Sequence, residues 1–223
     1  MKSITKQKSL EEVERQLAGL DRVFIAGCGT CTTVTKTGGI DEVLAMKEQL
    51  DKMDKWVSGW TVIPTACDEM TQASMTEHGQ VIEDASCVLA MTCALGVHRM
   101  NQYISKPIIP ALDTLFIGVE ESAGRFRETC GQCGHCVLGD TAGICPVVSC
   151  HKGLLNGPCG GTNDGKCEVD KEMDCAWTLI HERLKAQDRL PLMRTYQPPM
   201  NHQVMPRPRA TRILSEEGGP NAV

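Results

Sequence analysis

The chain has 223 residues, of which 41% are apolar, 23% charged and 4% aromatic, and its formal net charge is −5. That apolar share excludes a disordered chain, and an acidic balance with so few aromatics excludes the basic stripe and stacking platform of a nucleic-acid binder. The longest apolar run, CVLAMTCALGV at 87–97, is about half of the roughly 20 residues a membrane span needs. The N-terminus turns acidic and helical where a signal peptide would carry its apolar stretch. The expectation is a cytoplasmic protein with no membrane span. Thiols stay reduced in that compartment, so thirteen cysteines point to metal rather than to disulfides.

Residues 9–20 open with a capping box, Ser9 followed by Glu12, and place Leu10, Val13, Leu17 and Leu20 on one helical stripe. DRVFIAGCGTC then reads as a strand running into a Gly and Cys loop. GGIDEVLAMKEQLDKM comes next as a helix whose apolar face carries Ile40, Val43, Leu44, Leu50 and Met53. The alternation continues with WTVIPTAC as a strand ending at Cys67, DEMTQASMTEHG as a helix, CVLAMTC as a strand ending at Cys93, and LDTLFIGV as a last strand. Strands alternating with helices imply parallel pairing, so residues 1–120 read as a small open parallel-sheet α/β domain of Rossmann or flavodoxin type.

In such a sheet the ligand crevice lies beyond the carboxyl ends of the strands. Cys28 and Cys31 follow the first strand, Cys67 the second and Cys93 the third, which gathers four thiols at one rim. Four thiolates are the ligand set of a 4Fe-4S cubane. A redox Cys-x-x-Cys pair at 28 and 31 is the competing reading. Cys87, in the strand and away from the rim, reads as an ordinary buried cysteine. The loop AGCGTC has glycines at 27 and 29 but Thr32 where a dinucleotide fingerprint wants its third glycine.

From residue 121 the chain changes character. CGQCGHC places Cys130, Cys133 and Cys136 at equal spacing, and Cys145, Cys150, Cys159, Cys167 and Cys175 come after it. A Gly- and Cys-rich segment of this kind cannot close a core by burial alone, so metal binding must be part of its folding. The run matches the C-x2-C-x2-C of bacterial ferredoxins, although the Cys-Pro, Cys145-Pro146, comes later than in those proteins. Cys150, Cys159, Cys167 and Cys175 remain as a fourth ligand or a second set. Structural zinc is the alternative occupant of one Cys-rich site. His135 and His151 read as surface groups. KEMDCAWTLIHERLKAQDRL, from 171, predicts a helix with Met173, Trp177, Ile180 and Leu184 on one face, closing a Cys-rich module over 121–190. Residues 191–223 hold six of the eleven prolines and predict an extended tail, solvated or draped over a partner.

Residues 130–169, CGQCGHCVLGDTAGICPVVSCHKGLLNGPCGGTNDGKCEV, resemble the cysteine-rich C-terminal module found with methylenetetrahydrofolate reductases, notably in LNGPCGG and GKCEV. With the α/β half before it and RLPLMRTYQPP after it, the chain resembles the small iron-sulfur companion subunit of the acetogen-type reductase. The resemblance implies an electron-transfer subunit with at least two 4Fe-4S clusters. Its implied partner is an FMN-containing TIM-barrel subunit that reduces 5,10-methylenetetrahydrofolate to 5-methyltetrahydrofolate. The implied electron source is ferredoxin or a larger redox complex. The chain has no eight-fold strand and helix repeat, so no catalytic residue of a folate-reducing barrel carries over to it; only the cysteines do.

Overall fold

The computed structural model describes residues 2–204 and 208. It contains two compact units, residues 1–127 and 128–223. The C-terminal part of the expected tail lies outside the described residues.

The first unit opens with β1 (Lys2–Gln7) and α1 (Leu10–Gln16) and continues through β2 (Arg22–Cys28), α2 (Cys31–Val34) and α3 (Ile40–Lys52). After β3 (Trp56–Ile63) come α4 (Met70–Glu77) and α5 (Gly79–Asp84), then β4 (Cys87–Met91), α6 (Ala94–Met100) and β5 (Ile108–Pro110). Two further strands, β6 (Leu112–Ser122) and β7 (Arg125–Glu128), close the series. β2, β3, β4 and β5 form one parallel sheet in the order β3-β2-β4-β5. Taken in chain order as first to fourth, these strands lie 2-1-3-4, the flavodoxin-like doubly wound order with its switch point between β2 and β4.

Alternation along β2 explains why both faces of the sheet are covered. Val23 and Ile25 join Val13 of α1, Leu17 at its C-cap, and Val43, Met46 and Leu50 of α3 in one buried cluster. Phe24, Ala26 and Cys28 point the other way, against Met75 of α4, Ile82 of α5 and Met100 of α6. Side chains alternate along a strand, so a strand buried on both faces reads as a continuous apolar run, as VFIAGC does. Ser9 caps α1, its hydroxyl accepting from the Glu12 N–H at 3.2 Å. On α3 the buried stripe is Val43, Met46 and Leu50; Ile40 and Leu44, expected on that face, are exposed.

Two sequence expectations change here. LDTLFIGV does not extend the parallel sheet: β6 pairs antiparallel with β1, and the order β1-β6-β7 makes a second, three-stranded sheet. The fourth parallel strand is instead the short β5, paired with β4 at Val88, Leu89 and Ala90. The threonines of β1 and of the loop after α2 hold the second sheet to the first layer, with Thr5 Oγ1 2.6 Å from Thr37 Oγ1 and Thr35 Oγ1 2.9 Å from it.

The second unit has little regular structure. It contains α7 (Pro146–Ser149), α8 (Ala176–Ala186) and 3-10 segments at Leu190–Arg194 and His202–Val204. Trp177, Ile180 and Leu184 of α8 are its buried apolar cluster, flanked by Ile144, Leu192 and Met193 among others. α8 begins at Ala176 with Cys175 as its N-cap, so Met173, expected inside the helix, lies in the turn before it. The first part of the expected tail is not free. Gln197 donates its N–H to Asn156 Oδ1 at 2.7 Å and accepts from Asn156 Nδ2 at 2.9 Å, and its side chain donates to Asp140 at 2.9 Å. That reciprocal amide pair gives the asparagine of LNGPCGG a structural task.

Candidate metal centres

The rim is built by the loops that leave the carboxyl ends of β2, β3 and β4. β2 ends at Cys28, and the chain turns at once into α2, whose first residue is Cys31. β4 ends at Met91, and Cys93 becomes the N-cap of α6. β3 ends at Ile63, four residues before Cys67. Cys28 and Cys93 therefore flank the switch point between β2 and β4, where the crevice of a doubly wound sheet opens.

Close backbone contacts hold these loops over the strand ends. The Cys28 N–H donates to Gly38 O at 3.0 Å, and the Gly29 N–H donates to Ile63 O at 2.8 Å. The hydroxyls of Thr32 and Thr33 both donate to Cys28 O, at 3.0 and 2.8 Å. Thr32, the residue at the third-glycine position of a dinucleotide loop, is thus a buried prop for Cys28. Gly38 lies so close to β4 that a Cβ there would collide with the Met91 carbonyl. A Cβ on Gly96, in α6, would stand 3.0 Å from Ala66 Cβ, so glycine lets the Cys93 helix approach the loop that carries Cys67.

Cys67 lies within electrostatic reach of the other three thiols. The Cys67 thiol is pushed above its ordinary range, first by desolvation and then by the charges of Cys93, Cys28, Cys31 and Asp68. Cys67 is exposed as a residue, Cys31 is half-buried, and Cys28 and Cys93 are buried, so the set runs from the core to the surface. The Thr30 hydroxyl lies 3.2 Å from Cys28 Sγ.

Cys87 stands at the opposite end of β4 from Cys93, opposite Val23. It is fully buried, and desolvation pushes its thiol up to about 11 despite the opposing influence of Lys55. A thiol held protonated in an apolar setting is chemically inert.

In the second unit the run from Cys130 to Cys136 is a loop with Gln132 and Gly134 at φ 54° and 71°. The Gln132 N–H donates to Cys130 Sγ at 3.4 Å, and Cys133 Sγ donates to the His135 carbonyl at 3.3 Å. A Cβ on Gly131 would lie 3.3 Å from Val148 Cγ1, so the run rests against α7. Cys145 is the N-cap of that helix and Cys150 its C-cap.

Cys150, Cys159, Cys167 and Cys175 line a common cavity with Lys152, Glu168 and Trp177. The Gly161 N–H donates to Cys159 Sγ at 3.4 Å, and Lys152 pairs with Glu168, which also accepts from Cys159 at 3.4 Å. Cys167 and Cys175 are brought together by backbone bonds, Cys167 N–H to Met173 O at 2.9 Å and Cys175 N–H to Gly165 O at 2.7 Å. Burial raises the Cys175 thiol, but the N–H and hydroxyl of Thr178, the N–H of Trp177 and the hydroxyl of Thr162 outweigh it, so the net shift is downward. His151 lies 4.0 Å from Asp170.

Among the described residues no three His, Cys, Asp or Glu side chains converge as a single chelated ion would require. The four thiolates of a cubane each bind a different iron, so they ring a space instead of meeting at a point. The rim thiols near Cys67 and the cavity-lining thiols of the second unit are the two sets of residues that could hold such a group. A cleft of about 670 Å³ lined by Val97, His98 and Asn101 among others has no cysteine in its lining.

No helix among the described residues is long and apolar enough to cross a membrane. Neither the comparison with curated proteins nor that with solved structures gives a match. Residues 109–203, from β5 through both groups of later cysteines, match the family described as Methylene-tetrahydrofolate reductase C terminal, and this region relates the chain to methylenetetrahydrofolate reductase.

Proposed function

We propose that the chain is a cytoplasmic iron-sulfur electron-transfer subunit of a methylenetetrahydrofolate reductase complex. In this reading it passes electrons to the FMN of a TIM-barrel catalytic partner, which reduces 5,10-methylenetetrahydrofolate to 5-methyltetrahydrofolate. The observation that carries it is one chain holding both a reductase-related region over 109–203 and a set of thiols, Cys28, Cys31, Cys67 and Cys93, on the loops at the strand ends of the α/β sheet. A subunit that catalysed folate reduction would need a substrate barrel. One that feeds a flavin needs redox centres near its surface.

Iron-sulfur cubanes move one electron at a time, while a flavin collects two and delivers them as hydride. The residues of this chain do the holding and tuning. Cys28 and Cys93 would hold a cluster from the buried side and Cys67 from the exposed side, where it could exchange electrons with a partner. The Thr30 hydroxyl at Cys28 Sγ and the backbone N–H groups at Cys130 and Cys159 stabilise negative charge on sulfur, and hydrogen bonds to the sulfurs are among the factors that set a cluster's potential. In the second unit the buried large side chains of α8 number three, Trp177, Ile180 and Leu184. So small a core leaves the loops dependent on metal for their fold. The rival reading, a colourless anchor held by zinc, makes a different analytical prediction.

The test is composition. Full-length protein purified anaerobically is expected to contain iron and acid-labile sulfide in equal amounts and to give paramagnetic signals of reduced cubanes after dithionite. Zinc at every site, with no labile sulfide after anaerobic reconstitution, would rule the electron-transfer reading out.

A further inference from the structure

We infer that the eight cysteines of the second unit form two separate four-thiolate centres divided by α7. Cys130, Cys133, Cys136 and Cys145 make one, and Cys150, Cys159, Cys167 and Cys175 make the other. The inference rests on reading this unit as metal-bearing and goes beyond it by fixing how the thiols are shared out.

Spacing alone leaves the division open, because Cys145 and Cys150 are equally available to the early run. The structure separates them. Cys150, Cys159, Cys167 and Cys175 all line one cavity, and none of Cys130, Cys133, Cys136 or Cys145 lines it. Two backbone bonds, from Cys167 N–H to Met173 O and from Cys175 N–H to Gly165 O, fix Cys167 and Cys175 as a pair. The Cys150 end of α7 meets that pair, since Cys150 packs with Cys175 against the α8 cluster. The early run lies against α7 through Gly131 and Val148, and Cys145 caps the N-terminal end of the same helix. A helix of four residues is roughly 6 Å long, so the two centres are neighbours without sharing ligands.

The chemistry of the second set is all sulfur. Lys152 and Glu168, which line the same cavity, pair with each other. Four thiolates without nitrogen or carboxylate ligands take a thiophilic centre, a 4Fe-4S cubane in a ring of sulfurs or, where the loops draw the sulfurs to one point, a zinc ion. The partition is the same for either occupant.

Non-additive loss of metal tests the partition. Full-length protein would be reconstituted anaerobically with iron and sulfide, and in a parallel arm loaded with zinc alone; iron, sulfide and zinc would then be counted per chain. Cys150→Ser and Cys167→Ser are each expected to lose one centre, about four irons for a cubane or one zinc ion. The Cys150→Ser/Cys167→Ser pair should lose no more than either single variant. Cys145→Ser combined with Cys167→Ser should lose the sum of its two singles. Far-ultraviolet circular dichroism over α8 and the first unit keeps loss of a centre distinct from loss of fold. Additive losses for Cys150 and Cys167, non-additive losses for Cys145 and Cys167, or a wild-type second unit that binds neither metal would overturn the partition. Zinc losses in the expected pattern, with no iron or sulfide bound under any condition, would uphold the partition while contradicting the electron-transfer reading.

Discussion

Cys93→Ser should remove about four irons per chain, with the matching sulfide, and leave the fold intact. Cys93 sits at the switch point, it is buried, and its charge is the largest thiol influence on Cys67. Losing one corner of a cubane leaves three thiolates around an unstable remnant. The substitution is well suited to the question because Cys93 is an N-cap whose side chain makes no capping bond. Serine is a preferred N-cap, with its hydroxyl accepting from the first turn, and such caps contribute about 0.5–2 kcal/mol. α6 should therefore be held at least as firmly in the variant. Iron analysis of Cys93→Ser beside Cys87→Ser is the check: the first loses a cluster and the second, at the far end of β4, loses none. Unchanged iron in Cys93→Ser would remove Cys93 from the ligand set.

The second large effect is expected from a residue that carries no side chain. Gly38→Val should lower stability by about 3 kcal/mol or more, at the upper end of what overpacking costs. The added Cβ would meet the Met91 carbonyl of the central strand β4, with Met91 Cβ also 3.1 Å away. Backbone of a central strand cannot swing aside as the tip of a flexible side chain would. The loop must lift instead, and lifting it breaks the 3.0 Å bond from the Cys28 N–H to Gly38 O. Rim iron should fall together with stability. Gly79→Ala is the matched control: its Cβ would meet nothing within 4 Å, it starts α5, and alanine is the better helix former. Urea midpoints of the two variants give the comparison, and a Gly38→Val midpoint equal to wild type would show that the loop does not rest on β4 as described.

The strand-end position of the rim cysteines was legible in the sequence because VFIAGC, WTVIPTAC and CVLAMTC each run from apolar residues to a cysteine, and after β2 the glycines at 29, 38 and 39 mark the turn. Strand order was not legible at the residue level, since the 2-1-3-4 arrangement depends on crossovers that no single run encodes. KSITKQ hid β1 because Ile4 is its one apolar residue and its partner, β6, lies more than a hundred residues away. β5 is three residues long and ends in proline, too short to show a period. The face of α3 was misread at Ile40 and Leu44 because their apolar character outweighed the position of Met46, which packs inward. In the second unit the cysteines were plain, but their division was not. Positions 145 and 150 are five residues apart in sequence, and only the intervening α7 turns them to different neighbours. The folding back of Gln197 onto Asn156 depends on bonds from the Asn156 side-chain amide to the Gln197 backbone, which have no periodic signature.

The central claim is that electrons pass through this chain to a flavin. The most direct measurement is donor-dependent reduction of methylenetetrahydrofolate by a barrel subunit of the reductase type, assayed alone, with this chain, and with this chain carrying Cys133→Ser. Reduced ferredoxin or a viologen serves as the donor. A marked rise in rate is expected on adding the wild-type chain, and little or no rise with the variant, at equal binding of both to the barrel. Equal rates in all three assays would contradict the claim.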